Sequence, residues 1–438
     1  MKILFIHQNF PGQFKHLAPA IASISGNEVT ALTMQKIESM QWQGIRVIPY
    51  APSKGTATNV HPWVMDWESK IIRAEACFVA ASKLKDTGYT PDLIIAHSGW
   101  GESLFLKDVW PDAKLGVYSE FYYHVDGADL NFDPEFQEPT LGSAPKIRLK
   151  NLNNQMHFEI ADAGIAPTHW QASTFPEPFR SKITVVHDGI DTESIKPNES
   201  ISITFNDGLT LSKGDEVITF VSRNLEPYRG YHIFMRSLPL LLKERPHARV
   251  LIVGGDEVSY GPSPSSDQSW KDQFIQEVRG QISDVDWKRI HFLGKLPYDK
   301  FIALLQLATV HVYLTYPFVL SWSLLEAMSI GAAIVASDTA PVREVIAHGK
   351  TGRLVDFFDA GTLAKEVIDL LGNPVARKKL GAAARKYAVE NYDLQSICLP
   401  QQLAWVEGLF KKQYKSTKKI IAKKETIKTK AKVIGLKS

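Results

Sequence analysis

Two arginines carry the strongest chemical suggestion in this sequence. Arg223 directly follows the buried-type run Glu216–Ser222, and Arg229 stands just before a helical pattern that opens at residue 231. Two guanidiniums at one end of a sheet suit a diphosphate, which they neutralise and fork with several hydrogen bonds. The alternative is a pair of solvated loop arginines. An anion would also suit Gln8-Asn9-Phe10-Pro11-Gly12-Gln13-Phe14, where a glycine opening a helix lets backbone N–H groups and the helix dipole approach a phosphate. A plain strand–helix turn reads the same way. The segment lacks the G-x-G-x-x-G spacing of a dinucleotide fold, which argues against a nicotinamide enzyme. Gly254 and Gly255 end the run Ala248–Val253 and permit close approach of a ligand, or a tight turn. Glu326 lies amid apolar residues after Val310–Leu314, where an unpaired carboxylate is costly. It is expected to accept hydrogen bonds, either from ribose hydroxyls or from a neighbouring backbone.

A second group of candidates follows strand-like runs in the first half. His97 ends Asp92–His97 and leads into Ser98-Gly99-Trp100-Gly101-Glu102; Glu120, Tyr122, Tyr123 and His124 follow Lys114–Ser119. Asn131-Phe132-Asp133-Pro134-Glu135-Phe136 adds two carboxylates. Polar groups beside aromatics at adjacent strand ends suit a sugar or another acceptor, although a lone histidine is commonly structural. His97, Glu102 and His124 lack the tight spacing of a metal site, so no metal is expected.

These residues need elements to bring them together. Apolar runs at Lys2–His7, Glu28–Met34, Gly44–Tyr50, Asp92–His97, Lys114–Ser119 and Ile183–His187 alternate with helical patterns. Residues 190–216 are polar and turn-rich. The alternation then restarts at Glu216–Ser222, Ala248–Val253, Arg289–Leu293, Val310–Leu314 and Ala332–Ser337. The expectation is an α/β protein of two doubly wound, Rossmann-like domains facing across a cleft. Their bounds are 1–190 and 216–392, joined by a linker over 191–215 and followed by a helix over 393–410. The 438 residues can bury two such cores, no apolar run is long enough to span a membrane, and two cysteines exclude a disulfide framework. A reducing, cytoplasmic setting fits. The net charge of +3 is uneven: residues 411–438 hold eleven lysines against the single Glu425, leaving the other 410 residues at −7. A nucleic-acid partner for the folded body loses its support.

In this order, these segments resemble the retaining glycosyltransferases of family 4, which have GT-B architecture; the resemblance covers roughly residues 1–410. Ser222-Arg223…Arg229-Gly230 is similar to the family's Gly-Arg…Lys-Gly phosphate-binding segment, one residue longer and with arginine for lysine. Val253-Gly254-Gly255 resembles the Val-Gly-x-Gly turn, and His291-Phe292-Leu293-Gly294 the segment beside the nucleobase. Leu325-Glu326-Ala327-Met328 matches the second half of Glu-x7-Glu. His187-Asp188-Gly189-Ile190-Asp191 resembles the segment closing the first domain. The first half resembles one bacterial subgroup. The first Glu of Glu-x7-Glu is absent: Phe318, or Tyr316 in a shifted alignment, takes its place. Glu120 stands where many relatives carry a histidine.

The resemblance implies transfer of a sugar from a nucleotide diphosphate sugar to an acceptor hydroxyl, with retention and without metal or other cofactor. Arg223, Arg229, Glu326 and Glu120 would be catalytic. Gly12, Gly254, Gly255, Leu293, Leu296, Ser321, Trp322, Ser323 and Leu324 would bind the donor, and His97, Tyr122, Tyr123 and His124 the acceptor, whether glycan, glycolipid or small molecule. A non-catalytic sugar-nucleotide-binding protein and a GT-B epimerase or phosphorylase remain alternatives. The lysine-rich tail is expected to be a solvated extension, or an attachment to the anionic inner face of a membrane.

Overall fold

The computed structural model describes residues 1–136, 140–206, 208–264 and 267–410. The first domain is built on one sheet with strands β1 (Lys2–Ile6), β2 (Glu28–Thr33), β3 (Gln41–Trp42), β4 (Ile45–Pro49), β5 (Leu93–His97), β6 (Lys114–Tyr118), β7 (Ala163–Ala166) and β8 (Ile183–Val185). Their spatial order is β3-β4-β2-β1-β5-β6-β7-β8, parallel except for β3 against β4. The unbroken apolar run of β1 serves two cores. Ile3 and Phe5 pack with the helix Leu17–Ala22 on one face, Leu4 and Ile6 with the helix Met65–Asp86 on the other. A strand buried on both faces shows no polar alternation, as expected of a parallel sheet covered twice.

The second domain opens with an antiparallel hairpin, β9 (Ser202–Thr204) and β10 (Thr210–Ser212). Its sheet holds β11 (Val217–Asn224), β12 (Arg249–Gly255), β13 (Ile290–Phe292), β14 (Val310–Tyr313), β15 (Ala333–Ser337) and β16 (Arg353–Val355) in the order β13-β12-β11-β14-β15-β16, all parallel. In β12 the same split recurs: Val250 and Ile252 face the helix Tyr231–Glu244, Leu251 and Val253 the helix Tyr298–Leu307. Strand order reverses between β1 and β5 and between β11 and β14, and ligands of open α/β sheets bind beyond the strand ends at such points.

The chain crosses between the domains twice, and the crossings touch where Ile190 bridges Asp393. The last helical stretch, through residue 410, seats Trp405, Val406 and Leu409 on the first domain. Trp405 fills the space left by Gly116 and donates its indole N–H to the Gly164 carbonyl at 3.1 Å. Five strands have no counterpart in the sequence pattern noted above: β3, β7, β16 and the two of the hairpin, which lies inside the expected linker.

A third connection was not expected. After β6 the first domain reaches over the second. Phe132 packs with Tyr316, Phe357 and Phe358, and Phe136 with His232, Trp270 and Phe274. Asp129 accepts from the Tyr228 hydroxyl, and Asp133 from the Tyr316 hydroxyl at 2.7 Å. Glu135 is forked by Arg236 at 2.7 and 2.6 Å. The two carboxylates expected at a sugar site, Asp133 and Glu135, therefore serve as a strap between domains. A buried carboxylate must find donors, and here the second domain provides them.

Candidate active site in the interdomain cleft

Both switch points open into one cavity of about 650 Å³ between the domains. On the second-domain wall, the register of β11 slips between Val221 and Asn224, and Arg223 stands exposed on the cavity face. Among the described residues it has no hydrogen-bond or ion-pair partner, so its donors are available to a ligand. Arg229 is the opposite case. It is buried, donates to Thr315 Oγ1 at 2.8 Å and the Val319 carbonyl at 3.2 Å, and lies 5.0 Å from the Tyr260 ring. Burial opposes its charge, but Tyr313, Tyr260 and Glu226 outweigh burial and hold its pKa above the ordinary value. It ties the loop after β11 to the loop after β14 while keeping one side on the cavity.

That second loop ends at Ser321, whose hydroxyl caps the helix Trp322–Ile330 by accepting from the Ser323 amide at 3.3 Å. Ser321, Trp322 and Ser323 line the cavity, so a helix N-terminus points into it. The Trp322 indole donates across the cleft to Asp188 of the first domain at 2.8 Å. Asp188 also accepts from the Tyr118 hydroxyl at 3.1 Å, and burial pushes its pKa up to about 6 despite these two donors.

The first-domain wall is a chain of hydrogen bonds. The Asn9 amide donates to His7 Nδ1 at 2.9 Å, which leaves His7 Nε2 to donate to Gln13 Oε1 at 2.7 Å. Gln13 Nε2 in turn reaches Glu120 Oε1 at 3.4 Å. Burial and then His97 bring the His7 pKa down to about 3, so the imidazole is neutral. Gly12 holds this turn: its φ is +48°, and a Cβ there would stand 2.3 Å from the His7 ring. Glu120 keeps about a third of its side chain exposed and lies 3.8 Å from His97 Nε2. Burial opposes its charge, but contacts with His97, His7 and Gln13 prevail and hold its carboxyl below the usual range.

Of the residues expected at the site, Gly12, Glu120, Tyr123, Arg223, Arg229, Ser321, Trp322 and Ser323 share this cavity. His97 sits one layer behind, stacked between Trp100 at 4.1 Å and Tyr118 at 5.1 Å. Tyr122 and His124 face away; the Tyr122 hydroxyl takes Gln155 Nε2 at 2.9 Å, and His124 Nε2 meets the Thr174 carbonyl at 2.7 Å. Gly254 and Gly255 admit other side chains, since Cβ atoms there would meet Leu225 at 2.7 Å and Lys295 at 2.4 Å. Leu293 and Leu296 pack on the small core under β12, and Leu324 is fully buried. Glu326 is buried off the cavity and accepts from the Tyr298 hydroxyl at 2.6 Å, a side-chain partner in place of the ribose or neighbouring backbone expected. Phe318, in the place of the missing carboxylate, lines the cavity, and Tyr316 is held in the strap.

The cavity also contains residues that the sequence did not single out for it: His7, Gln171, Ser259 and Tyr260. Tyr260 is brought in by Glu226, which accepts from the Ser259 and Tyr260 amides. Among the described residues, Asp133, Glu135 and His232 have ligand atoms within 4.8 Å of one another. The guanidinium already forking Glu135 opposes a cation there.

The comparisons agree with this architecture. The family described as glycosyl transferase family 4 group matches residues 25–195, and that described as glycosyl transferases group 1 matches residues 204–387. A D-inositol 3-phosphate glycosyltransferase of Streptomyces avermitilis is 24% identical over 254 residues, 56% of this chain and 52% of the relative. The chain thus spans about half the length of the curated relatives it matches. Among solved structures, the Anabaena protein HepE with UDP and glucose superposes with a TM-score of 0.63 at 16% identity, over 93% of this chain and 99% of that one. Sucrose-phosphate synthase of Thermosynechococcus elongatus gives 0.66 at 17%, over 93% and 98%. At these identities the structures speak for the GT-B fold. No helix among the described residues is long and apolar enough to cross a membrane.

Proposed function

The chain belongs to the family 4, group 1 glycosyltransferases, and from that premise we propose that it transfers a sugar from a nucleotide diphosphate sugar to an acceptor hydroxyl, with retention at the anomeric carbon. The observation that carries this reading is the pairing of walls in one cavity. Arg223 with free donors, Arg229 with its charge secured and a serine-capped helix N-terminus face the hydrogen-bonded Glu120. Charge growing on a departing diphosphate is stabilised by such preorganised donors without a metal ion. HepE, solved with UDP and glucose, supports a nucleotide-sugar donor. Glu120 holds the transferred sugar or the acceptor. This reading takes front-face attack assisted by the leaving phosphate, with Glu120 and Asp188 the carboxylates in the cavity lining. The acceptor belongs to cell-envelope polysaccharide, glycolipid or related glycan synthesis on the cytoplasmic side. The experiment is incubation with labelled UDP-, GDP- and ADP-sugars, with and without acceptor: transfer or slow hydrolysis is expected, and Arg223→Ala should lower it sharply. Binding without either reaction would favour a sugar-nucleotide-binding protein, the reading suggested by Phe318 in place of a carboxylate. The lysine tail, residues 411–438, lies outside the described residues; its charge supports peripheral attachment to an anionic membrane. Salt-sensitive binding to anionic vesicles, lost on deleting the tail, is the expected result.

A further inference from the structure

Behind the second domain, away from the cleft, lies a cavity of about 580 Å³. Its walls come from three parts of the chain that meet at the interdomain connection. Pro197 and Glu199 belong to the first crossing, Lys213 follows the hairpin and Thr309 precedes β14, and Arg377, Lys378 and Arg385 belong to the helix Pro374–Tyr392, which leads into the second crossing. Four cationic side chains thus surround the space, and Glu199 is the one carboxylate in its lining among the described residues.

The cations are held in place by backbone carbonyls, not by counter-charges. Lys213 Nζ donates to the Gln306 carbonyl at 2.8 Å, and Arg377 to the Leu370 and Leu371 carbonyls at 2.6 Å each. Arg385 reaches the Thr192 and Ile195 carbonyls of the first crossing at 3.3 Å. Lys378 is exposed and has no partner among the described residues. A guanidinium has five donors, so the arginines retain unused ones. Burial lowers the pKa of Lys213, with Glu199 opposing and Arg377 adding to the effect. The first turn of helix Pro374–Tyr392 holds no acidic residue, and its dipole adds to the positive potential.

We infer that this cavity is a second anion site, taking a phosphate group on Lys213, Arg377, Lys378 and Arg385. The space is larger than phosphate alone needs and accommodates a phosphorylated small molecule such as a sugar phosphate. An occupant bonded to both the linker side and the helix side braces the two crossings, which places it where the relative position of the domains is set. Its ligand need not resemble the donor, and the inference stands apart from the proposed reaction.

The test uses the full chain with inorganic phosphate and, in a parallel arm, glucose 6-phosphate as probes. Binding is followed by calorimetry, and hydrogen exchange is read over residues 191–199. Because phosphate also suits the cleft, Arg223→Ala is measured beside the unaltered protein. Saturable binding that survives Arg223→Ala, weakens about tenfold in Lys378→Glu and slows exchange in 191–199 is expected. Tighter binding of glucose 6-phosphate would assign the larger ligand; equal binding would assign the bare anion. Lys378 is exposed, so its variant should melt as the parent does. Absence of saturable binding, or binding lost in Arg223→Ala and unchanged in Lys378→Glu, would overturn the inference.

Discussion

The two walls of the cleft are built in opposite ways. The second-domain wall comes from two strand ends: Arg223 lies at the end of β11 with Arg229 just past it, and Ser321–Ser323 follow β14, so these two ends supply nearly all its charge and its helix N-terminus. The first-domain wall is assembled from distant pieces, with His7, Gln13 and Glu120 joined by hydrogen bonds spanning 6 and 107 residues. A wall made of one or two motifs presents ready donors. A wall made of a relay has its protonation states fixed by its neighbours. Under the proposed reaction, that difference would make the donor side bind by charge and the other side work by the placement of a single carboxylate.

The largest effect should come from removing donor-side charge. Arg223→Ala is expected to lower turnover roughly 10²–10³-fold, with thermal stability within about 0.5 kcal/mol of the parent, since the side chain is exposed and unpartnered. Arg229→Ala should match that loss and in addition destabilise by about 2–3 kcal/mol, because Thr315 and the Val319 carbonyl lose a buried partner; a denaturation midpoint separates the two variants. On the opposite wall, Glu120→Gln should reduce turnover about tenfold to a hundredfold while nucleotide affinity, measured by calorimetry, stays unchanged. If nucleotide affinity falls as well, the division of labour between walls is wrong.

The pH dependences should diverge in sign. Glu120 has a folded pKa below its ordinary 4.5, so its contribution is present above that value and lost as pH falls through the lower folded value. Asp188 has a folded pKa of about 6 against an ordinary 3.8, so stability declines as pH rises from about 4 to about 6 and is flat beyond. Asp188→Asn should remove that slope in melts taken across the window. The smallest effect is expected for Gly12→Ala, which strains a positive φ by about 1–2 kcal/mol and displaces the His7 ring. It should raise the KM for acceptor more than that for donor.

Legibility in the sequence follows the same division. The sheets were readable because strands such as β1 and β12 are buried on both faces and show as unbroken apolar runs. β7 (Ala-Gly-Ile-Ala) and β16 (Arg-Leu-Val) are too short and too mixed to show a pattern, and they exist through pairing with neighbours already in place. Arg223, Arg229 and Ser321–Ser323 are legible because they stand at or shortly past the ends of apolar runs. Tyr260 was not, because its turn-rich stretch reads as an ordinary loop and only the distant Glu226 carboxylate folds it inward. Glu326 accepts a hydrogen bond from Tyr298, and no pattern in the sequence pairs the two. Asp133 and Glu135 mislead because a carboxylate between aromatics looks alike at a sugar subsite and at a domain seam; the Tyr316 hydroxyl and the Arg236 guanidinium that satisfy them lie 183 and 101 residues away.

The strap bears on protein engineering. In a two-domain enzyme with donor and acceptor sites on separate halves, new specificities are sought by fusing halves from different parents. Here the first half carries Phe132 and Phe136, which fill aromatic pockets of the second, and Asp129 and Asp133, which answer its buried Tyr228 and Tyr316 hydroxyls. A chimera cut at residue 190 would expose those pockets and orphan those hydroxyls. The exchangeable module is therefore the second domain without the last helical stretch, which packs on the first, together with residues 121–136, a unit discontinuous in sequence though contiguous in space.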